Sequence, residues 1–245
     1  MGAAAPSRRD RMRLETANDI KAAARQLLVS SGPGGVVLRA IAREVGMTAP
    51  AIYRYFPSLD ELIAALIVDC YDELVAVMGV ARDARPARDL GGRLVAVSRA
   101  FRSWSVRHPA EFGLIFGAPP PGFSAPPDGI TESAGARFSA VFQDLFVGIW
   151  TDHGVPLPQR GTLDPRLTRQ LRDYARVAAV PLPPAALYLF LACWVRIYGV
   201  VAMEVFGHLR WAVADGEALF ETELRQLAHQ LGIASSYRPP ATRNR

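Results

Sequence analysis

The chain has 245 residues, half of them hydrophobic and 21% of them charged, which excludes disorder over most of its length and allows one large core or two smaller ones. Its net charge of +5 is carried by residues 1–57, which hold nine Lys and Arg and four Asp and Glu, and the remaining residues are neutral overall. This localised charge favours phosphate binding, although an accidental bias of a solvated surface would look the same. The N-terminal residues MGAAAPSRRDRMR lack the apolar run of a signal peptide, so we expect a cytoplasmic protein.

The first helical pattern runs from Leu14 to Ser30, where apolar residues recur every three or four positions. The breaker SSGPGG at residues 30–35 ends the pattern. Residues 1–13 precede it and are rich in arginine. We predict that they form a flexible basic arm.

Residues 38–56, LRAIAREVGMTAPAIYRYF, have the pattern of two short helices separated by a tight turn at Gly46. Gly46 is the residue expected to adopt a left-handed conformation and end the first helix. Thr48 is predicted to cap the second helix, and Pro50 falls within its first turn, where a missing N–H costs little. This arrangement is typical of a DNA-reading helix-turn-helix.

Helical patterns account for most of the remaining chain. Ser58 and Glu61 form an S-x-x-E capping box, which predicts a long helix that ends near Arg82. Residues 117–129, GAPPPGFSAPPDG, are incompatible with a helix and predict a long loop. The pattern contains no strand, so we predict an all-α fold. The further predicted helices are Leu94–His108, Pro109–Phe116, Thr131–Trp150, Asp164–Ala178, Pro183–Phe206 and Gly216–Leu231.

The most hydrophobic run is Ala185–Phe206, but Arg196 and Glu204 interrupt it. A buried helix explains this run better than a membrane span, so no membrane partner is expected. Cys70 and Cys193 lie far apart in apolar helical patterns, which favours reduced, buried thiols over a disulfide.

Residues 16–70 resemble the DNA-binding domain of TetR-type transcriptional regulators. The likeness rests on the first helix, Gly32, the Leu38–Ala42 core, Gly46, and the run Ile52-Tyr53-Arg54-Tyr55-Phe56 followed by Leu62. Two stretches, 101–116 and 194–209, resemble a C-terminal subclass with a Trp…His-Gly motif, in which Tyr198-Gly199 here replaces His-Gly. The resemblance implies an N-terminal three-helix DNA-binding domain with a helix-turn-helix, and a larger helical ligand-binding and dimerisation domain. The predicted domains are 1–13 (flexible basic arm), 14–60 (DNA-binding), 61–233 (effector-binding and dimerisation) and 234–245 (disordered tail).

Two residues depart from the pattern of this family. The family usually has Ser or Thr before its second helix, where this chain has Val37. The family usually has Lys shortly after its Tyr-x-x-Phe turn, where this chain has Leu59. Neither side chain donates to a phosphate, so either other groups replace these contacts or the affinity for DNA is lower.

We predict that eight residues form the DNA-contacting surface. The Thr48 hydroxyl and the N–H groups beside it suit a phosphate, and the three short apolar residues that follow suit thymine methyl groups. Tyr53 and Tyr55 suit phosphates or sugars, and Arg39 suits a base edge or the backbone, whereas Arg54 faces phosphate, solvent or an intramolecular carboxylate. The arm arginines Arg8, Arg9, Arg11 and Arg13 either grip DNA or stay solvated. The eight predicted residues are Arg39, Thr48, Ala49, Pro50, Ala51, Tyr53, Arg54 and Tyr55.

The middle helices are rich in aromatic residues, most of which we expect in the core. A cavity among them would suit a small apolar or aromatic effector, oriented by Arg107, His108, Arg196 or Glu204. The residues predicted to bind it are Trp104, His108, Phe112, Phe116, Phe142, Phe146, Trp194 and Tyr198.

The last two predicted helices carry more apolar surface than one monomer needs. They therefore predict a homodimer interface, in the form of a four-helix bundle that the resemblance also implies. The alternative is that both helices belong entirely to the core of one chain.

The four histidines are scattered along the chain. The sequence contains no H-E-x-x-H zinc motif, no G-K-[ST] phosphate loop and no G-x-S-x-G nucleophile elbow. We therefore expect no catalytic activity, no metal and no cofactor. The predicted function is a ligand-responsive repressor that binds a near-palindromic operator as a dimer. The alternative is an all-helical small-molecule-binding or scaffolding protein with a non-functional helix-turn-helix, which Val37 and Leu59 favour.

Overall fold

The computed structural model describes residues 7–120, 122–125, 129–159 and 161–240. Within these ranges it contains ten α-helices and no β-strand, which confirms the predicted all-α fold. The helices are α1 (Arg8–Ser31), α2 (Leu38–Glu44), α3 (Ala49–Ile52), α4 (Leu59–Asp83), α5 (Leu90–Arg107), α6 (Pro109–Phe116), α7 (Ile130–His153), α8 (Pro165–Val177), α9 (Pro184–Val205) and α10 (Gly216–Gln230).

The helices form two compact units. Unit 1 contains Met1–Glu73 and His108–Arg137, and unit 2 contains Leu74–Arg107 and Phe138–Arg245. The division differs from the predicted boundary after residue 60, because α6 and the first part of α4 belong with α1.

The first helix begins earlier than the sequence pattern indicated. Ser7 is its N-cap: the Ser7 hydroxyl accepts the backbone N–H of Asp10 at 3.2 Å, and the Asp10 carboxylate accepts the backbone N–H of Ser7 at 3.2 Å. This capping box starts α1 at Arg8. The prediction of a flexible arm is therefore wrong for residues 8–13, while residues 1–6 lie outside the described residues.

Arg25 on α1 connects three helices of unit 1. Its Nη1 donates to the Glu73 carboxylate of α4 at 2.6 Å, and its Nε donates to the Glu111 carboxylate of α6 at 2.8 Å. Glu111 is only 3% exposed. Since a buried carboxylate is costly without a charged partner, this pair fixes α1 against α6.

We expect Arg25→Met to lower the free energy of unfolding by about 2–3 kcal/mol, because it leaves the Glu111 carboxylate buried without its guanidinium. Urea unfolding at fixed protein concentration measures this value. The double variant Arg25→Met/Glu111→Gln should recover at least half of the loss. Arg82→Met is the matched control: Arg82 pairs with the neighbouring, exposed Asp83, so a loss below about 0.5 kcal/mol is expected. Equal losses in R25M and R82M would contradict a special role for Arg25.

Unit 2 is built around α9, which packs against α5, α8 and α10. Phe101 and Trp104 of α5 and Phe220 of α10 are fully buried in it. Arg102 of α5 binds Glu204 of α9 through two hydrogen bonds, of 2.6 and 2.8 Å. These contacts hold the end of α9 in place.

The residues after α10 are ordered where the sequence predicted a disordered tail. Ala234–Ser236 forms a 3₁₀ turn, and the Tyr237 hydroxyl donates to the Glu221 carboxylate at 2.9 Å. Arg99 of α5 binds the same carboxylate and lies over the Tyr237 ring. The Arg99 guanidinium also donates to the Arg238 carbonyl, so the tail prediction is wrong for residues 234–238, and residues 241–245 lie outside the described residues.

By length and composition, α9 is apolar enough to cross a membrane, but a core helix passes the same test. Only 33% of the most apolar 18-residue stretch of α9 is buried in the chain, so α9 is less buried than the sequence predicted. Apolar side chains of α9 are therefore left on the surface.

Candidate nucleic-acid interface and effector cavity

The turn between α2 and α3 has the geometry that the sequence predicted. Gly46 has φ = 66°, and a Cβ added there would meet nothing within 4 Å, so the backbone conformation rather than space requires glycine. The Met47 N–H donates to the Ala42 carbonyl at 2.9 Å and closes the end of α2. Ile41 and Ile52 are fully buried, which fixes α3 against α2.

The second helix is shorter than predicted: α3 ends at Ile52, and residues 53–55 form turns. Thr48 occupies the N-cap position, but its hydroxyl makes no capping hydrogen bond, contrary to prediction. Pro50 explains this, because it removes one N–H that a cap would bind, and the Ala51 N–H already donates to the Thr48 carbonyl at 2.9 Å. The exposed Thr48 hydroxyl is thus left to an external partner.

The structure brings seven of the eight predicted DNA-binding residues together on and beside α3, with Arg39 on α2. Five of them are exposed, namely Arg39, Thr48, Pro50, Tyr53 and Arg54. Ala49, Ala51 and Tyr55 are half-buried. The surface offers hydroxyl groups, guanidinium groups and short apolar side chains, which are the groups needed to approach a groove.

The two departures from the family pattern lie beside this surface. Val37 is the N-cap of α2, has no capping side-chain hydrogen bond and is 46% exposed. Leu59 is the first residue of α4 and is half-buried. Neither side chain supplies a hydrogen-bond donor.

Comparisons with known proteins identify the family. A family model described as "Bacterial regulatory proteins, tetR family" matches residues 20–66, and another described as "Tetracyclin repressor-like, C-terminal domain" matches residues 94–227. The chain belongs to the TetR family. The HTH-type transcriptional regulators Rv1816 of Mycobacterium tuberculosis and Mb1846 of Mycobacterium bovis are similar to it, each with 33% identity over 227 residues, 90% of this chain and 93% of theirs.

Solved structures agree with this TetR assignment. The regulatory protein SCO4313 aligns with a TM-score of 0.73 and 32% identity, covering 91% of this chain and 100% of its own. A TetR-family regulator from Shewanella sp. PV-4 has the same fold, with a TM-score of 0.55, 17% identity, and coverage of 85% of this chain and 95% of its own. The predicted function of a DNA-binding transcriptional regulator is confirmed.

A second candidate site of this TetR regulator lies in unit 2, where α5, α7, α9 and α10 surround a cavity of about 50 Å³. Its lining is almost entirely apolar. The Ser98 hydroxyl donates to the Leu94 carbonyl at 2.9 Å. Burial raises the pKa of the Cys193 thiol to about 11, so the thiol is neutral at pH 7. Other lining residues include Phe142, Phe146, Phe190, Trp194, Leu224 and Ile233.

The predicted effector-binding residues are divided between the two units. Phe142, Phe146 and Trp194 line the cavity. Tyr198 is close to Trp194, with ring centroids 5.6 Å apart, and Trp104 is fully buried, but neither lines the cavity. The three others, His108, Phe112 and Phe116, belong to unit 1, where the Phe112 and Phe116 rings are 5.0 Å apart.

The polar groups predicted to orient an effector do not line the cavity. Arg196 binds Glu223 at 2.5 Å, and Glu204 binds Arg102. His108 lies 3.7 Å from the Glu73 carboxylate. Sequence reasoning missed the contribution of α10 and the residues after it, whose only sequence signal was the apolar spacing of Leu224, Leu227 and Leu231.

Proposed function

We propose that the protein is a cytoplasmic homodimeric repressor that binds a near-palindromic DNA operator and leaves it when a small apolar or aromatic effector binds. The proposal is carried by the exposed surface of α3, which buried Ile52 holds against α2. Bound protein blocks RNA polymerase by occupying the operator, so repression needs no further contact surface. One α3 reads only one half-site, and a twofold dimer therefore requires near-palindromic DNA.

The outer face of α9 supports a dimer. Four exposed apolar residues recur every three or four positions, except where Gly199 intervenes. They are Leu191, Val195 and Met203 of α9 and its C-cap residue Phe206. A Cβ added at Gly199 would meet nothing within 4 Å, so this glycine also lies on an open side. Such a contiguous apolar stripe marks an association surface. On α10, by contrast, Phe220, Leu224, Leu227 and Ala228 are buried in the core of the same chain.

The cavity supports an effector that is uncharged and apolar. Among the described residues that line it none is ionised, the Ser98 hydroxyl is already bonded and the Cys193 thiol is neutral. A cavity of roughly 150 Å³ is known to hold benzene, so 50 Å³ is too small for an aromatic ring without movement of the lining. An effector that enters must displace the surrounding helices, so it binds the displaced state more tightly than the starting state. Allosteric release of the operator requires such a difference in affinity between two states.

We expect toluene, indole or naphthalene to raise the melting temperature and release a fluorescent operator fragment, whereas benzoate should do neither because the cavity offers no cation. At 100-fold excess over Kd, a ligand adds about 2.7 kcal/mol to stability. Thermal unfolding and fluorescence anisotropy measure the two effects on the same samples.

Variants at the cavity wall locate the binding. Cys193→Leu should fill the cavity and remove both effects, while Cys193→Ala keeps the space and should preserve them. An equal response of the two variants would place the ligand elsewhere. Stabilisation of wild type without operator release would contradict the effector role.

A further inference from the structure

An open, cationic cleft of about 780 Å³ lies in unit 1 beside the residues that follow α3. Arg8, Arg9 and Arg13 line it from α1, and Arg54 and Tyr55 line it from the turn after α3. Arg13 Nη2 donates to the Arg54 carbonyl at 3.4 Å, which joins the first turns of α1 to the turn after α3. The cleft is therefore continuous with the DNA-contacting surface.

The charge of this cleft is almost uncompensated. Among the described residues that line it, four guanidinium groups face one carboxylate, that of Asp10. Asp10 is engaged in the capping box, where its Oδ2 accepts the Ser7 hydroxyl at 2.6 Å. Among residues 7–120, 122–125, 129–159 and 161–240, no carboxylate lies within ion-pair distance of Arg8, Arg9, Arg13 or Arg54.

Four arginines elsewhere in the fold are used differently. Arg25, Arg99, Arg102 and Arg196 each bind a glutamate through short hydrogen bonds. Those pairs hold helices together. Arg8, Arg9 and Arg13 lie in the first turns of α1, whose start is already stabilised by the Ser7–Asp10 capping box, so their charge is available to an anion from outside the chain.

We propose that this cleft binds the phosphate backbone of DNA beside the half-site that α3 reads. Guanidinium groups suit phosphate oxygens, which they bind in pairs of parallel hydrogen bonds. The contact is independent of base sequence, and it supplies the backbone grip that Val37 and Leu59 do not. This inference rests on the proposed operator binding. It assigns to the start of α1 a phosphate contact that lies outside the helix-turn-helix.

The triple variant R8Q/R9Q/R13Q tests the proposal. Each lost phosphate contact lowers the slope of log K against log salt concentration by about 0.9, so we expect the slope to fall by about two to three. Affinity should fall by the same factor for the operator and for unrelated duplex DNA, because phosphate contacts carry no sequence information. Fluorescence anisotropy from 50 to 300 mM KCl measures both quantities. Circular dichroism checks that α1, whose Ser7 and Asp10 cap is unchanged, remains folded.

The matched control is R166Q/R169Q/R172Q, which removes the same charge from three exposed arginines of α8. An equal loss in this control would attribute the effect to net charge and overturn the proposal. R8K/R9K/R13K should keep most of the affinity, since lysine still binds phosphate as a point charge, and a loss as large as that of the glutamine variant would overturn a phosphate contact.

Measurements on the wild-type protein distinguish a failure of operator binding from a failure of the α1 contact. If wild type forms no operator complex, the proposed operator binding fails. If wild type binds its operator and R8Q/R9Q/R13Q keeps the wild-type salt slope, operator binding stands and the α1 contact is overturned.

Discussion

Replacing Thr48 by aspartate is expected to weaken operator binding by more than about 100-fold while the stability of the fold changes by less than about 0.5 kcal/mol. Thr48 is exposed at the start of α3, and its hydroxyl takes no part in capping. A carboxylate there meets the DNA phosphates at close range, and such like-charge contacts cost several kcal/mol. The fold gains little from the new carboxylate, because Pro50 removes one N–H that it would otherwise bind. Anisotropy with operator DNA and thermal unfolding measure the two effects separately.

Thr48→Val is the control, because it keeps the shape of the side chain and removes only the hydroxyl. We expect it to lose less than about tenfold in affinity, which corresponds to one neutral hydrogen bond. Wild-type affinity in T48D would show that the start of α3 does not approach the phosphates. A loss in T48D that accompanies a lowered melting temperature would instead indicate a damaged fold.

The geometry of the turn between α2 and α3 was predictable because the sequence signals that determine it are local. Gly46 ends α2 through its backbone conformation, and the apolar spacing of α2 identified its buried face. The end of α3 was predicted four residues too late. Tyr53, Arg54 and Tyr55 continue a helical spacing, but the chain turns after Ile52, and spacing alone does not distinguish these conformations.

The sequence predicted a flexible arm at one end of the chain and a disordered tail at the other, and the two predictions fail for different reasons. The start of α1 had a local signal that was overlooked, since Ser7 and Asp10 have the spacing of a capping box. The segment after α10 had none. Tyr237 is ordered by Glu221 and Arg99, and Arg99 is more than a hundred residues away in the sequence. A contact at that separation follows from the tertiary fold and not from the local pattern.

The effector cavity also depends on contacts that a local sequence pattern does not predict. Helical spacing predicted most of the aromatic residues to lie in the core, and six of them are buried, but it does not say which helices meet. The six are Phe101, Trp104, Phe112, Phe138, Phe142 and Phe146. Phe142 and Trp194 share one cavity, whereas Phe112 and Phe116 belong to the other unit. The residues that complete the cavity, among them Leu224 and Ile233, come from α10 and the segment after it. Tyr237 packs against the same core as Ile233, and this contact joins parts of the chain that no local pattern connects.

Replacing Val195 by glutamate is expected to convert the proposed dimer into a 26.6 kDa monomer at micromolar concentration. Val195 is 64% exposed in the middle of the apolar stripe on α9. In a twofold interface that is centred on this stripe, the change places a carboxylate from each copy in the apolar contact. Burying these unpaired like charges costs several kcal/mol, which corresponds to a loss of more than about 100-fold in dimer affinity. Light scattering over a concentration series measures the mass of the species.

Operator affinity should collapse together with the dimer, because a monomer binds one half-site and loses the effective concentration that links the second. Val80→Glu is the matched control: Val80 is 74% exposed on α4, outside the stripe, and the change should affect neither mass nor affinity. A V195E protein that remains dimeric would place the interface elsewhere. A monomeric V195E protein that keeps wild-type affinity for the whole operator would contradict cooperative reading of two half-sites. Loss of both properties, with normal helical content, would tie DNA recognition by α3 to the exposed face of α9.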